Sequence, residues 1–379
     1  MIKIQKIKMK KIKVVLGMSG GVDSSTAAIL LQKNNYEVHG VFMQNWDDKD
    51  AICSAEDDFV DALSVANQLK IPLKKIDYIR EYKDRVFAQF LKDHNKGYTP
   101  NPDILCNREI KFDVLKQRAE KIGAQFIATG HYAQKIENKN GTYQLTVPKD
   151  KQKDQTYFLY QISQSDLKKV IFPLGEYSKK EVRKVAEKNG LINSNKKDST
   201  GICFIGERKY NNFVGQFIEL KRGNIIDLNG KRVGRHNGHM FFTIGQRKGL
   251  GIGATKGPAD KPWYVVHKNI QTNEVLVAQG KDNDALYSDC AQIEKINWIS
   301  VAPQNNQNLF AKVRYREKSL SCTIRIINND TVNVYFSKPC RAITLGQSIV
   351  FYSEEGFCLG GGIIKKRSVP SLNLTIDEK

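Results

Sequence analysis

Between an apolar segment, Ile12 to Leu16, and a helical run from Ser24 to about Gln32, the chain reads Gly17-Met18-Ser19-Gly20-Gly21-Val22-Asp23-Ser24-Ser25. Two adjacent glycines let backbone N–H groups come close to an anion. The next helix adds the positive end of its dipole, and Ser19, Ser24 and Ser25 add hydroxyl donors. In open parallel sheets ligands bind at the carboxyl ends of the strands, where this turn sits. The segment has no Gly-Lys-Ser/Thr and no G-x-G-x-x-G, so neither a Walker loop nor a dinucleotide fingerprint applies. A glycine-rich turn without a ligand is the alternative.

The next hundred residues support an α/β sheet. Val38 to Met43 is apolar; Ser54, with Asp57 three residues on, opens a run in which Phe59, Leu63, Ala66 and Leu69 recur at helical spacing until Pro72. Leu73 to Ile76 and Phe126 to Thr129 read as strands, with helices expected at 81–94 and 112–122 and a loop between Gly97 and Cys106. Strands alternating with helices predict a parallel sheet covered on both faces. Residues 131–205 read as polar loops and helices, with capping signals at Ser163/Asp166 and Ser178/Glu181. Beyond Glu207 glycine becomes frequent. From about 285 only short strands are expected, at 311–315, 321–327, 332–336, 348–352 and 357–364, which suits a small barrel or sandwich. The segments 11–206, 207–284 and 285–366 are therefore read as a catalytic α/β domain, a central β-rich domain and a C-terminal β-barrel.

The 60 Lys and Arg against 40 Asp and Glu give a formal charge of +20. That surplus suits a polyanionic partner such as nucleic acid, unless it reflects only a general drift toward Lys, Asn and Ile. No apolar run approaches the roughly 20 residues that span a bilayer. The basic N-terminus lacks an apolar core and cleavage site, so a cytoplasmic location and no membrane partner are expected. None of the seven cysteines forms C-x-x-C, which argues against a zinc ribbon and gives no support to an iron–sulfur cluster. No metal-ligand set is expected.

Two cysteines stand out by their setting. In Asn101-Pro102-Asp103-Ile104-Leu105-Cys106-Asn107, one helical turn would put Asp103 and Cys106 on the same face, where a carboxylate could exchange protons. A carboxylate alone raises a thiol's pKa, so activation would need a helix N-terminus or a cation such as Arg108 or Lys111. In Lys197-Asp198-Ser199-Thr200-Gly201-Ile202-Cys203-Phe204-Ile205-Gly206-Glu207-Arg208, two glycines bracket Cys203 and would give the loop the freedom a sulfur carrier needs. Taken alone, either cysteine reads equally well as a buried small hydrophobe.

The motifs SGGVDSS, NPDILCN, ATGHY, KDQTYFLY, KDSTGICFIGER, TIGQRKGLGIG, PWYVV and LGGGII occur in this order. Together they resemble the tRNA-specific 2-thiouridylases (tRNA-uridine 2-sulfurtransferases) of the N-type ATP pyrophosphatase, or PP-loop, superfamily. The resemblance runs from about residue 11 to 366. It implies a Rossmann-like parallel sheet, a small central β-rich module and a C-terminal barrel that contacts tRNA. It implies ATP as co-substrate, with Mg²⁺, and thiolation of wobble uridine 34 in Lys, Glu and Gln tRNAs. Gly17, Met18, Ser19, Gly20, Gly21, Val22, Asp23 and Ser24 would hold phosphate, Met43 would line the adenine, and Gly130 would contact the nucleotide. Cys203 would carry a persulfide and Cys106 would be the nucleophile, the two ending in a transient disulfide; Asp103 is the candidate general acid/base. Asn101, Pro102 and Asp103 would meet the target base. His131, Lys153, Asp154, Gln155, Arg314, Tyr315 and Gln347 would contact tRNA. The sulfur donor would be a cysteine desulfurase or a relay protein, and the chain is expected to be a monomer.

Two other classes remain in view. A PP-loop enzyme that uses an amine would not need paired cysteines. A tRNA-binding module that had lost catalysis would bind RNA without turning over ATP, against which the intact SGGVDSS speaks. TIGQRKGLGIG reads either as a cradle for RNA phosphates or as tight turns in a β module. Arg314-Tyr315-Arg316, cations flanking an aromatic ring, suits phosphate and base stacking.

Overall fold

The computed structural model describes residues 11–46, 54–197, 210–252 and 261–375. Strand β1 (Lys13–Gly17) leads into helix α1 (Val22–Lys33), then β2 (Glu37–Gln44), α2 (Ser54–Gln68) and β3 (Leu73–Asp77). A helical region comes next: α3 (Ile79–Tyr82), a π-helical segment (Lys83–Phe87) and α4 (Ala88–Asn95). A second comprises α5 (Pro102–Leu105), a π segment (Cys106–Val114) and α6 (Leu115–Lys121). Then come β4 (Phe126–Ala128), β5 (Gln134–Glu137), β6 (Tyr143–Thr146), α7 (Gln164–Lys169), β7 (Val170–Ile171), α8 (Lys179–Lys188) and α9 (Tyr210–Val214). The remaining strands are β8 (Gly223–Ile226), β9 (Arg232–His236), β10 (Trp263–Asn269), β11 (Glu274–Gln279), β12 (Tyr287–Trp298), β13 (Leu309–Lys312), β14 (Leu320–Asn328), β15 (Thr331–Arg341), β16 (Ser348–Tyr352) and β17 (Phe357–Arg367).

The chain divides into two compact units. The first contains residues 11–46, 54–82, 107–156 and 163–197; the second contains 83–106, 157–162, 210–252 and 261–375.

In the first unit the sheet order is β3-β2-β1-β4-β7, and every pairing is parallel. Val14, Val15 and Leu16 at its centre are fully buried, as expected of a strand covered on both faces. Helix α1 is buried on most of its surface, from Ser24 to Leu31, and its Thr26 hydroxyl reaches the Val182 carbonyl of α8 (3.4 Å). Helix α8 opens with the complete reciprocal cap at Ser178 and Glu181 that the sequence signals. The hairpin of β5 and β6 departs from the expected loops. Gln-Lys-Ile-Glu and Tyr-Gln-Leu-Thr hold too few apolar residues to show a period of two. The two-residue β7 is too short for any pattern.

The expected loop at 97–106 is helical from Pro102 onward. The signal was present: Asn101 caps the turn by accepting from the Asp103 N–H (3.2 Å), and proline stands at the first helical position, where its missing donor costs nothing.

The second unit holds a four-stranded sheet, β10-β11-β8-β9, and a barrel ordered β12-β15-β14-β13-β16-β17 that closes where β12 pairs with β17. Strand β12 escapes the sequence pattern because bulges break its alternation and Lys295 takes a positive φ of 56°. The LGGGII motif serves closure: a Cβ at Gly360 would lie 2.0 Å from the Asn297 carbonyl oxygen and one at Gly361 would lie 2.2 Å from that of Ile349. TIGQRKGLGIG forms turns through residue 252, with positive φ at Gly245, Gly249 and Gly251 and with Ile244 and Leu250 in the core beside β10 and β11. Among the described residues no helix is long and apolar enough to cross a membrane.

Phe351 is fully buried in the barrel core and stacks on Trp298 at 5.6 Å. Phe351→Ala is expected to destabilise the fold by about 3–5 kcal/mol, read as a lower denaturant midpoint in equilibrium unfolding.

Candidate active site

The turn after β1 is built by backbone contact. Gly20 has φ +76°, and a Cβ there would lie 2.2 Å from the Asp58 carbonyl oxygen. Gly130, after β4, faces the loop so closely that a Cβ would lie 2.9 Å from the Ser24 nitrogen. The first backbone bond inside α1 runs from the Ser25 N–H to the Gly21 carbonyl (3.2 Å), so the N–H groups of Val22, Asp23 and Ser24 have no acceptor within the helix. Ser24 and Ser25 turn their hydroxyls back to the Gly21 carbonyl (3.1 and 3.0 Å), and the Ser19 N–H donates to Ser24 Oγ (3.2 Å). Ser19 itself is exposed, and Met18 and Val22 are buried beneath the loop. The arrangement offers orphan donors to an anion and holds them rigidly.

Side chains outside the motif complete the support. Asp23 accepts from Tyr132 Oη (2.8 Å) and from Lys179 Nζ at both carboxylate oxygens (2.7 and 2.8 Å). Tyr132 exchanges bonds with Gln155: its N–H donates to Gln155 Oε1 (2.8 Å) and its carbonyl accepts the Gln155 N–H (3.0 Å). The ATGHY and KDQTYFLY motifs thus meet at Tyr132, which carries the bond to Asp23. Asn193 donates to the Gly20 carbonyl (2.8 Å) and to Ser25 Oγ (2.9 Å). Lys179 and Asn193 were not singled out from sequence, because each lies far along the chain in an unremarkable polar stretch.

Other residues expected near the nucleotide or RNA have varied settings. Met43 borders the loop's first residue: a Cβ at Gly17 would lie 3.4 Å from the Met43 methyl carbon. Asp154 is buried and accepts from the N–H (3.0 Å) and hydroxyl (2.6 Å) of Thr156. Lys153 is half-buried at the end of a short 3₁₀ turn that Asp150 caps. His131 is only 8% exposed. Its Nδ1 lies 2.8 Å from Thr129 Oγ1 and its Nε2 lies 3.4 Å from Lys111 Nζ. Burial pushes this imidazole well below its ordinary pKa of 6.5, and the Lys111 charge pushes the same way, so it is neutral at pH 7.

In the second unit the helical turn from Pro102 carries Asp103, half-buried, and Cys106, which is 2% exposed. The Cys106 N–H bonds back to the Pro102 and Asp103 carbonyls, closing the turn that places the two residues together. Gln347 Nε2 donates to the Thr99 carbonyl (2.6 Å), and the Thr99 N–H donates to the Leu345 carbonyl (2.9 Å), which ties this segment to the barrel. Arg314 Nη2 is spent inside the fold, on the Ile244 and Ala342 carbonyls and Thr344 Oγ1 (2.8, 3.0 and 3.0 Å). Tyr315 packs against Phe158 with the rings tilted by 46° (centroids 4.4 Å apart), and Arg316 sits 6.0 Å above the Tyr315 ring. Cys203, and with it the expected Cys106–Cys203 disulfide, lies outside the described residues. Cys322 and Cys340 are buried and their thiols are pushed up to about 12, which makes them inert.

A neutral, buried His131 couples stability to pH. Below pH 6.5 the unfolded chain binds a proton at this residue and the folded chain does not. Stability is therefore complete above pH 6.5 and falls as the pH drops toward the depressed folded value, by up to about 1.4 kcal/mol per pH unit. His131→Gln is expected to flatten this acid slope by that amount, measured as urea midpoints between pH 7.5 and 5.

Similarity to known proteins extends over most of the chain. Residues 12–207 match a family model described as the tRNA methyl transferase HUP domain. Residues 211–279 match the tRNA methyl transferase PRC-barrel domain, and residues 288–364 the aminomethyltransferase beta-barrel domain. The tRNA-specific 2-thiouridylase MnmA of Francisella philomiragia subsp. philomiragia is 47% identical over 359 residues, covering 94% of this chain and 100% of that protein. The protein of the same name from Francisella tularensis subsp. novicida gives the same identity and coverage. With this identity along essentially the full length, the chain belongs to the tRNA-specific 2-thiouridylase family of tRNA sulfurtransferases.

Proposed function

We propose that the protein thiolates wobble uridine 34 of tRNA at C2, in Lys, Glu and Gln isoacceptors, with ATP and Mg²⁺ as co-substrate and counter-ion. The full-length relationship to 2-thiouridylases carries this reading, and the glycine-lined loop with its orphan N–H donors supports it. Gly17 to Ser24 hold the phosphates, Met43 lines the adenine and Gly130 leaves the space that the nucleotide needs. Mg²⁺ offsets the phosphate charge. The segments 11–206, 207–284 and 285–366 act as the catalytic, central and tRNA-contacting parts of a cytoplasmic monomer.

The uracil C2 oxygen is a poor leaving group. Its attack on the α-phosphate expels pyrophosphate and leaves AMP on that oxygen. The outer sulfur of a persulfide on Cys203 then becomes bonded to C2, and AMP departs. In one route Cys106 attacks the inner sulfur of the persulfide, which releases sulfide to attack C2 and leaves a Cys106–Cys203 disulfide for an external thiol to reduce. The persulfide comes from a cysteine desulfurase or a relay protein. Asn101, Pro102 and Asp103 meet the target base, which must leave the anticodon stack, and Asp103 moves the proton. His131, Lys153, Asp154, Gln155, Arg314, Tyr315 and Gln347 shape the tRNA-facing parts. His131, Asp154 and Arg314 do so largely through the internal bonds they make. The burial of Cys106 means that its segment must open before the thiol reacts.

The test is mass analysis of nucleosides from unmodified tRNA incubated with protein, ATP, Mg²⁺ and a persulfide source. The expected product is a uridine in which one sulfur replaces one oxygen, with AMP formed in equal amount. Cys203→Ser is expected to abolish the product; a Cys203→Ser variant that still thiolates uridine would overturn the persulfide role of Cys203. Gly130→Ala pushes a methyl group against Ser24 and is expected to slow the ATP-dependent step at least about tenfold, or roughly 1.4 kcal/mol, with the fold retained by circular dichroism.

A further inference from the structure

Strands β10 and β17, the Gly97 turn and residues 373–375, all within the second unit, line a cavity of about 390 Å³. Five cationic or titratable bases border it, namely His267, Lys268, Lys365, Lys366 and Arg367, and no carboxylate is among its lining residues. Lys365 has a partner in Glu294 at 3.4 Å, and Lys366 is exposed. The other two cations are different. Among the described residues, Lys268 Nζ is buried and has no hydrogen-bond partner, and the same holds for Arg367 Nη1. Arg367 is 7% exposed, and its other terminal nitrogen donates to the Val266 carbonyl.

Two buried cationic groups on one cavity, without a counter-charge, are costly in any fold. The strain shows in their surroundings. Burial draws Lys268 down to about 8 and Arg367 to about 10. His267 is lowered by burial and then by Arg367 and Lys268. His94 and His239 are lowered first by burial, and Lys268 adds to both, His94 falling to about 3. The three groups so affected by Lys268, namely His94, His239 and His267, are all bases. A counter-charge from outside the described fold would relieve all of them together. An ammonium and a guanidinium that border one cavity offer charge-assisted donors to a tetrahedral oxyanion.

We infer that this cavity binds a phosphate group, held by Lys268 Nζ and Arg367 Nη1. The cavity belongs to the second unit and the glycine loop to the first, and the inference does not depend on the thiolation reading. A free phosphate and a backbone phosphate of RNA share this chemistry, and only the second source rests on tRNA being the substrate. A rival occupant is internal: the carboxylates Asp377 and Glu378 come soon after Thr375 in the chain, and Thr375 lines the cavity.

The experiment titrates inorganic phosphate calorimetrically into the full chain, into Lys268→Met and Lys268→Gln, and into a chain ending at Thr375. The comparison with Lys268 variants separates this cavity from phosphate held at the glycine loop. Saturable binding is expected in the full chain, at least tenfold weaker in both Lys268 variants. Without phosphate both variants should melt at the same temperature as the full chain or higher, since an unpaired buried charge has gone. A parallel titration of unmodified tRNA over a range of salt assigns the source. A salt slope smaller by about one in the variants places an RNA phosphate here, and an unchanged slope assigns the site to a free anion. Equal phosphate affinity in the full chain and both variants overturns the inference. So does phosphate binding that appears only after residues 376–379 are removed, because the chain's own carboxylates would then fill the cavity.

Discussion

The nucleotide-type loop exists because backbone approaches backbone where no side chain would fit. Gly20 lies against the Asp58 carbonyl and Gly130 against the Ser24 nitrogen, at distances that exclude a Cβ. This double contact sets the height of the α1 N-terminus over the ends of β1 and β4. The donors ahead of the first intrahelical bond then face outward together. Tyr132, Gln155, Lys179 and Asn193 act through this frame. They brace Asp23 and the Gly20 carbonyl, so the loop is already shaped before any ligand arrives. A cradle fixed in advance loses little conformational freedom on binding.

The same economy of backbone recurs in the barrel, where Gly360 and Gly361 let β17 close against β12 and β16. Motifs that look alike as glycine-rich text therefore do different physical work. SGGVDSS exposes donors, LGGGII closes a barrel, and TIGQRKGLGIG turns the chain between apolar anchors at Ile244 and Leu250. Charged motifs divide in the same way. Arg314 is drawn into carbonyl contacts, while Lys268 and Arg367 come from no motif and, among the described residues, leave Lys268 Nζ and Arg367 Nη1 buried without a hydrogen-bond partner.

Sulfur chemistry places a second demand on the fold. The nucleophile role proposed for Cys106 needs a reachable thiol, and Cys106 is buried at the start of a π-helical segment. Such wide turns bond less regularly than α-helix and often mark functional sites. The turn from Pro102 to Cys106 is short and capped by Asn101, and its Thr99 neighbour is anchored to the barrel.

The sequence alone determined the α/β sheet, the loop after β1, the cap of α8 and five of the barrel strands. Each of these rests on local physics: apolar period, glycine pairs, capping residues. It also grouped the motifs that place Cys106, Cys203 and the loop in one family. It did not reveal the β5–β6 hairpin or β12, whose polar or bulged strands gain their order from pairing with neighbours. Lys179 and Asn193 stayed hidden because they reach the loop across more than 150 positions of sequence, and only packing brings them there. The pair Lys268 and Arg367 was invisible for the same reason. A lysine on a strand reads as a solvated charge until the tertiary structure takes away its water.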